Sequence, residues 1–138
     1  MSEDFPSMIS HVSIGVADFE RAIAFYDAVL APLGCTRMHS HPTAAVYGRA
    51  FPEFWVQIPI DGKPASVGNG THFGFFARSR DEVQAFWDAA LKAGAVPDGE
   101  PGGRDGYGPQ YFGCFVRDLD GHKIEATYWD MSMGGETD

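Results

Sequence analysis

The chain has 138 residues, 44% hydrophobic and 14% aromatic, enough for one compact domain with a real core and too few for two ordinary ones. Ten Lys and Arg stand against 19 Asp and Glu, a formal net charge of -9 that repels nucleic acid and anionic membranes. The aromatic content excludes disorder, and 17 Gly and nine Pro without a fixed period exclude collagen while marking many tight turns in an α/β or α+β globule.

Residues 1–7 read as a flexible N-terminus, with acids where a signal peptide carries bases and no apolar stretch behind them. No apolar run approaches the roughly 18 to 20 residues that cross a bilayer, so the expectation is a soluble, cytoplasmic protein with no membrane partner. The domain proper runs over residues 8–131, followed by a tail at 132–138. Sliding the chain against itself by 61 positions aligns His11-Val12-Ser13-Ile14 with His72-Phe73-Gly74-Phe75, and Ala24-Phe25-Tyr26-Asp27-Ala28 with Ala85-Phe86-Trp87-Asp88-Ala89. One unit is used twice, at 8–60 and 70–131, joined by a linker at 61–69.

In each copy an alternating strand precedes a helix of 3.6-residue period, carried by Ala22, Phe25, Tyr26 and Val29 in the first and by Val83, Phe86, Trp87, Ala90 and Leu91 in the second. Asp18 caps the first helix, and Ser79 through Glu82 form a capping box for the second. Pro32 and Gly34 stop the first helix and Gly94 the second. Short β-like runs follow at about 35–40, 44–50 and 53–59, then near 95–98, 110–117 and 122–129. Each half is therefore β-α-β-β-β. The segment 98–109 is the most Gly- and Pro-dense in the chain and reads as a loop or a lid. Its Gly103-to-Gly108 spacing is not a phosphate cradle, because it carries no Lys and opens no helix. Cys35 and Cys114 lack CxxC spacing and read as small buried thiols.

Strand alternation gives the sharpest functional signal. If Val12, Ile14 and Val16 cover the first helix, His11, Ser13 and Gly15 face away from it. Phe73 and Phe75 likewise leave His72 and Gly74 on the far side, and Ile124 and Ala126 leave Glu125 and Thr127 there. The counterpart of Glu125 in the first half reads as Gln57, between Val56 and Ile58. Two imidazoles, a carboxylate and an amide converging in one cavity form a donor set for one divalent ion, with Zn, Ni, Mn and Fe all open. His39 and His41, beside Pro42, read as surface. Trp55 and Trp129 share the faces of Gln57 and Glu125 and are either substrate-facing or core or dimer aromatics. Arg104, Tyr107 and Tyr111, in or beside the glycine-rich loop, are further candidate substrate contacts.

The opening Ile9-Ser10-His11-Val12-Ser13-Ile14-Gly15-Val16, the helix Ala24 through Leu30, His72-Phe73-Gly74-Phe75, and Phe115-Val116-Arg117-Asp118-Leu119-Asp120-Gly121-His122-Lys123-Ile124-Glu125 resemble the vicinal oxygen chelate superfamily. That family groups glyoxalase I, extradiol dioxygenases, fosfomycin-resistance thiol transferases and bleomycin-binding proteins, and the resemblance spans about residues 8–130. It implies an α+β fold of two βαβββ modules in a cupped, barrel-like mixed sheet with helices outside, often as a homodimer. It implies metal ligation by His11, His72 and Glu125, with Gln57 where glyoxalase I enzymes usually place a carboxylate. Phe115 stands where the extradiol signature has Tyr, and no His lies between 73 and 121. Arg104 is the only base between Lys92 and Arg117, against the several that a phosphonate site uses. The expectation is a metal-dependent, glyoxalase-like lyase or isomerase acting on a small vicinally oxygenated metabolite or thiol adduct, with Glu125 as the base. The competing class is a non-catalytic binder of a planar drug or metabolite.

Overall fold

A computed structural model describes residues 7–133; the residues 1–6 and 134–138, expected to be flexible, lie outside them. The first module runs β1 (Val12–Gly15), α1 (Phe19–Leu30), β2 (Thr36–His41), β3 (Ala44–Gly48) and β4 (Phe54–Gln57). The second repeats the order as β5 (His72–Phe76), α2 (Arg80–Lys92), β6 (Val96–Pro97), β7 (Tyr111–Arg117) and β8 (Lys123–Trp129). Each module forms a four-stranded mixed sheet, ordered β1-β4-β3-β2 and β5-β8-β7-β6, whose first and last strands pair in parallel. The α+β architecture of paired βαβββ modules read from the sequence is the one observed. No helix among the described residues is long and apolar enough to cross a membrane.

Both helices begin where short polar side chains take up orphan amides. Asp18 accepts from the Arg21 amide at 3.2 Å, and the Ser79 hydroxyl from the Glu82 amide at 3.1 Å. The capping box is not reciprocal as expected: Glu82 Oε1 accepts from the Arg78 amide at 2.7 Å, one residue upstream of the cap. α1 gives way to a 3-10 turn through Pro32, which ends at Gly34 with φ 79°. Such a φ is open chiefly to glycine, so the residue stops the helix as the sequence suggested.

The helix-facing side of each sheet makes one shared core. Ile14, Val16, Tyr47 and Val56 pack with Phe25, Tyr26 and Val29, while Ile124, Ala126 and Val116 pack with Val83 and Phe86. Phe54 joins the two halves, its ring 5.2 Å from Tyr26, 6.1 Å from Phe73 and 5.0 Å from Phe75. A polar latch adds to this apolar seam. The buried Asp118 accepts from the Tyr26 hydroxyl at 2.5 Å and, through its other oxygen, from the amides of Asp120 and His122 at 2.9 Å. The turn thus formed reaches back to the first module, where Asp120 accepts from the Ala17 amide and His122 Nε2 lies 2.7 Å from the Gly15 carbonyl. The Asp118-to-His122 stretch that carried the family resemblance is therefore the bolt between modules.

Candidate functional site

Away from the core, the second sheet carries its polar residues on one face. Its ladder pairs Gly74 with Glu125 and Glu125 with Phe115, and then Thr127 with Gly113 and Trp129 with Tyr111. Paired residues share a face, so His72, Glu125, Thr127, Tyr111, Phe115 and Trp129 all stand opposite the helix, as alternation requires. Glu125 is 7% exposed and is held at both oxygens. Oε1 lies 3.2 Å from His72 Nε2, and Oε2 accepts from the Tyr111 hydroxyl at 2.6 Å.

Aromatic rings and two cations surround this carboxylate. The ring of Tyr111 lies 4.8 Å from Tyr107 and 5.1 Å from Trp129, each in an edge arrangement. Phe115 sits 5.8 Å from the His72 ring, with the Arg104 guanidinium 5.5 Å and the Lys123 ammonium 4.9 Å from its centroid. Arg104 is fixed by donating to the carbonyls of Glu100 at 2.7 Å and Gly103 at 2.9 Å. The glycine-rich loop is anchored at its base: Gly102 and Gly113 exchange backbone hydrogen bonds, and Phe115 donates to the Gly99 carbonyl. Four of the five substrate-facing candidates, Arg104, Tyr107, Tyr111 and Trp129, thus gather beside Glu125. Tyr111 differs from the other three in being 2% exposed, with its hydroxyl committed to the carboxylate. Burial first, and then the hydrogen bond and charge of Glu125, push the Tyr111 phenol far above the ordinary tyrosine range, so it remains a donor at neutral pH.

The first module contributes less. His11 is exposed just before β1, its Nδ1 2.9 Å from the Ser10 hydroxyl. Gln57 lies across from Gly15, and the residue across from Ser13 is Trp55. Ser13 is the repeat equivalent of Gly74, so Trp55 rather than Gln57 holds the ladder position that Glu125 holds in the second sheet, and Gln57 matches Thr127. The pairing inferred from flanking apolar residues is two positions off, because β1 and β4 pair in a register that the two-residue alternation cannot distinguish. Trp55 stands apart from the Tyr107-Tyr111-Trp129 row, its ring 6.5 Å from His41 and nearly parallel to it. His39 and His41 are exposed, as expected, but lie in β2 rather than in a turn.

His11 and His72 line the same cavity of about 430 Å³ between the modules, with Phe54, Phe73 and Gly74 among its walls. No three His, Cys, Asp or Glu side chains among the described residues come close enough to hold one metal ion. His72 and Glu125 stand as adjacent donors, with Oε1 and an imidazole nitrogen side by side. Buried Cys114, its thiol pushed up to about 12 by burial, and half-buried Cys35, its thiol also raised by burial, are both free; neither supplies a thiolate.

Sequence reading placed Gly74 as a small residue leaving room beside His72, but missed Phe115 as the centre of the cation cluster and the close approach of the Tyr111 hydroxyl to Gly113. A signal existed for the latter, since glycine inside a strand marks the close approach of another group.

A family model for the Glyoxalase/Bleomycin resistance protein/Dioxygenase superfamily matches residues 8–126. A glyoxalase/bleomycin resistance protein from Albidiferax ferrireducens T118 superposes with a TM-score of 0.81 at 37% identity, over 88% of this chain and 98% of that one. A lactoylglutathione lyase from Agrobacterium tumefaciens superposes at 0.64 with 19% identity, over 94% and 98% of the two chains. A genomically encoded fosfomycin resistance protein from Listeria monocytogenes does so at 0.65 with 17% identity, over 88% and 93%. At those identities the last two speak for the fold alone. No curated protein matches the sequence.

Proposed function

The chain belongs to the Glyoxalase/Bleomycin resistance protein/Dioxygenase superfamily, and from that premise we propose that it is a divalent-metal-dependent, glyoxalase-like lyase or isomerase working as a homodimer. The observation that carries the reading is the His72–Glu125 pair, 3.2 Å apart on the face opposite the helices. Those two donors and His11 of a second copy would hold the ion. The second copy is favoured because His11 does not join the pair within one chain, and because β1 and β5 are both edge strands, with Phe76 on β5 69% exposed.

A bound divalent ion supplies Lewis acidity to two neighbouring oxygens of a substrate. The chain's own residues do the rest. Glu125 is the one carboxylate at the centre of this face, and with Oε2 taken by Tyr111, Oε1, beside His72 Nε2, is the oxygen that would accept a proton from a carbon next to a carbonyl. Arg104 and the exposed rings of Tyr107 and Trp129 orient a small oxygenated substrate above it. Gln57 cannot share the base's task, since an amide is not basic at neutral pH.

The aromatic row and the lack of a three-donor cluster among the described residues favour a second reading, a non-catalytic binder of a planar metabolite or drug. Metal content separates the two. Protein purified without chelator should carry about one equivalent of Zn, Ni, Mn or Fe per protomer by elemental mass spectrometry, and His11→Ala and Glu125→Ala should carry almost none. Wild-type protein that holds no metal and takes none up would leave the binder standing.

A further inference from the structure

We propose that Tyr111 is the positioning residue of the Glu125 carboxylate: its hydroxyl holds Oε2 so that only Oε1, beside His72 Nε2, is presented to a cation. The inference rests on the metal reading above and deepens it. A glutamate carboxylate turns easily about its last torsion, so two equivalent oxygens need a partner to make them inequivalent. Tyr111 is that partner, at 2.6 Å from Oε2, a length typical of a donor on a charged oxygen.

The surrounding backbone is shaped for the contact. A Cβ on Gly113 would come within 2.2 Å of the Tyr111 hydroxyl and 2.8 Å of the Ala126 carbonyl. A Cβ on Gly74 would come within 2.9 Å of Glu125 Oε1. Two strand-interior glycines, each unfavourable for sheet stability, therefore stand where the tyrosine and the carboxylate need room. The phenol ring is held from two sides by Tyr107 and Trp129, and the Tyr111 amide donates to the Gly108 carbonyl at 3.3 Å. The residue that orients the carboxylate is thus tied to the glycine-rich loop, so a substrate that displaces Tyr107 would be felt at Glu125.

The test compares wild type, Tyr111→Phe and Gly113→Ala by calorimetric titration with whichever of Zn(II), Ni(II), Mn(II) or Fe(II) the wild-type protein binds most tightly, alongside thermal melting of the metal-free proteins. Tyr111→Phe is expected to bind the ion about 10- to 100-fold more weakly, while its melting temperature falls by no more than about 5 °C. Gly113→Ala keeps the tyrosine but takes the space of its hydroxyl, and should show the same loss. Wild-type binding with unchanged affinity in both variants overturns the positioning role and leaves the metal reading intact. A wild-type protein that binds none of the four ions overturns both. If neither variant folds, Tyr111 is a structural residue and the proposal fails.

Discussion

The two modules share a topology and the 61-residue offset through their first strands and helices, yet they carry different chemistry on the same face. In the second, Glu125 is held between Tyr111 and His72, with strands β7 and β8 each seven residues long around it. In the first, Trp55 occupies the matching ladder position, β3 and β4 have five and four residues, and the His11 imidazole is paired with the Ser10 hydroxyl. A duplicated scaffold thus fixes where side chains point, and the residue at each point decides the chemistry. The second module gathers a buried carboxylate, a phenol and an imidazole on this face, and the first presents Trp55 and Gln57 there with His39 and His41 of β2.

The comparison depends first on the bolt that sets the modules against each other. Asp118→Ala removes the acceptor of the buried Tyr26 hydroxyl and of two turn amides, and should cost about 3 kcal/mol in chemical denaturation. A loss below about 1 kcal/mol would mean that the apolar seam at Phe54 suffices.

The next test makes the modules alike. Trp55→Glu puts a carboxylate at the ladder position of Glu125 and should tighten metal binding roughly tenfold, whereas Gln57→Glu should change it less than about threefold. The reverse ranking in a competition titration would show that β4 presents Gln57, not Trp55, to the site.

The smallest expected effect sharpens a difference between the helix starts. Glu82 at the start of α2 is held below the usual carboxylate range chiefly by the Arg78 side chain, and also by the Arg78 amide. A depressed pKa contributes stability that is present above the unfolded value, near 4.5, and lost as pH falls through the folded one. Glu82→Gln should therefore lower stability by only a few tenths of a kcal/mol near neutral pH and flatten the acid side of the stability curve below about pH 4.5. An unchanged acid slope in pH-dependent denaturation would contradict this. α1, capped by Asp18 without such a pair, offers no equivalent.

Much of this was legible in the sequence because period-2 and period-3.6 patterns report facing directly. Val12, Ile14, Phe73, Phe75, Ile124 and Ala126 all point to the helices as alternation requires, and the opposite facing of His72 and Glu125 follows at once. Register was not legible, since shifting β4 by two residues preserves every facing while moving Gln57 past Trp55. Nor was the partnership of Tyr111 with Glu125, because it crosses strands diagonally and depends on Gly113 lacking a side chain. The Asp118 latch was visible only as a motif; its physical reason, a turn whose amides and carboxylates reach both modules, needed the tertiary arrangement.

The proposed site, with the His72–Glu125 pair of one copy meeting His11 of another, can be tested by complementation. Mixing His11→Ala with Glu125→Ala protein, each metal-free alone, should by random exchange of protomers leave about a quarter of the sites intact and restore that fraction of wild-type metal by elemental analysis. A mixture that stays metal-free after verified subunit exchange, while wild type binds one ion per protomer, would contradict the shared site and place all the ligands within one chain.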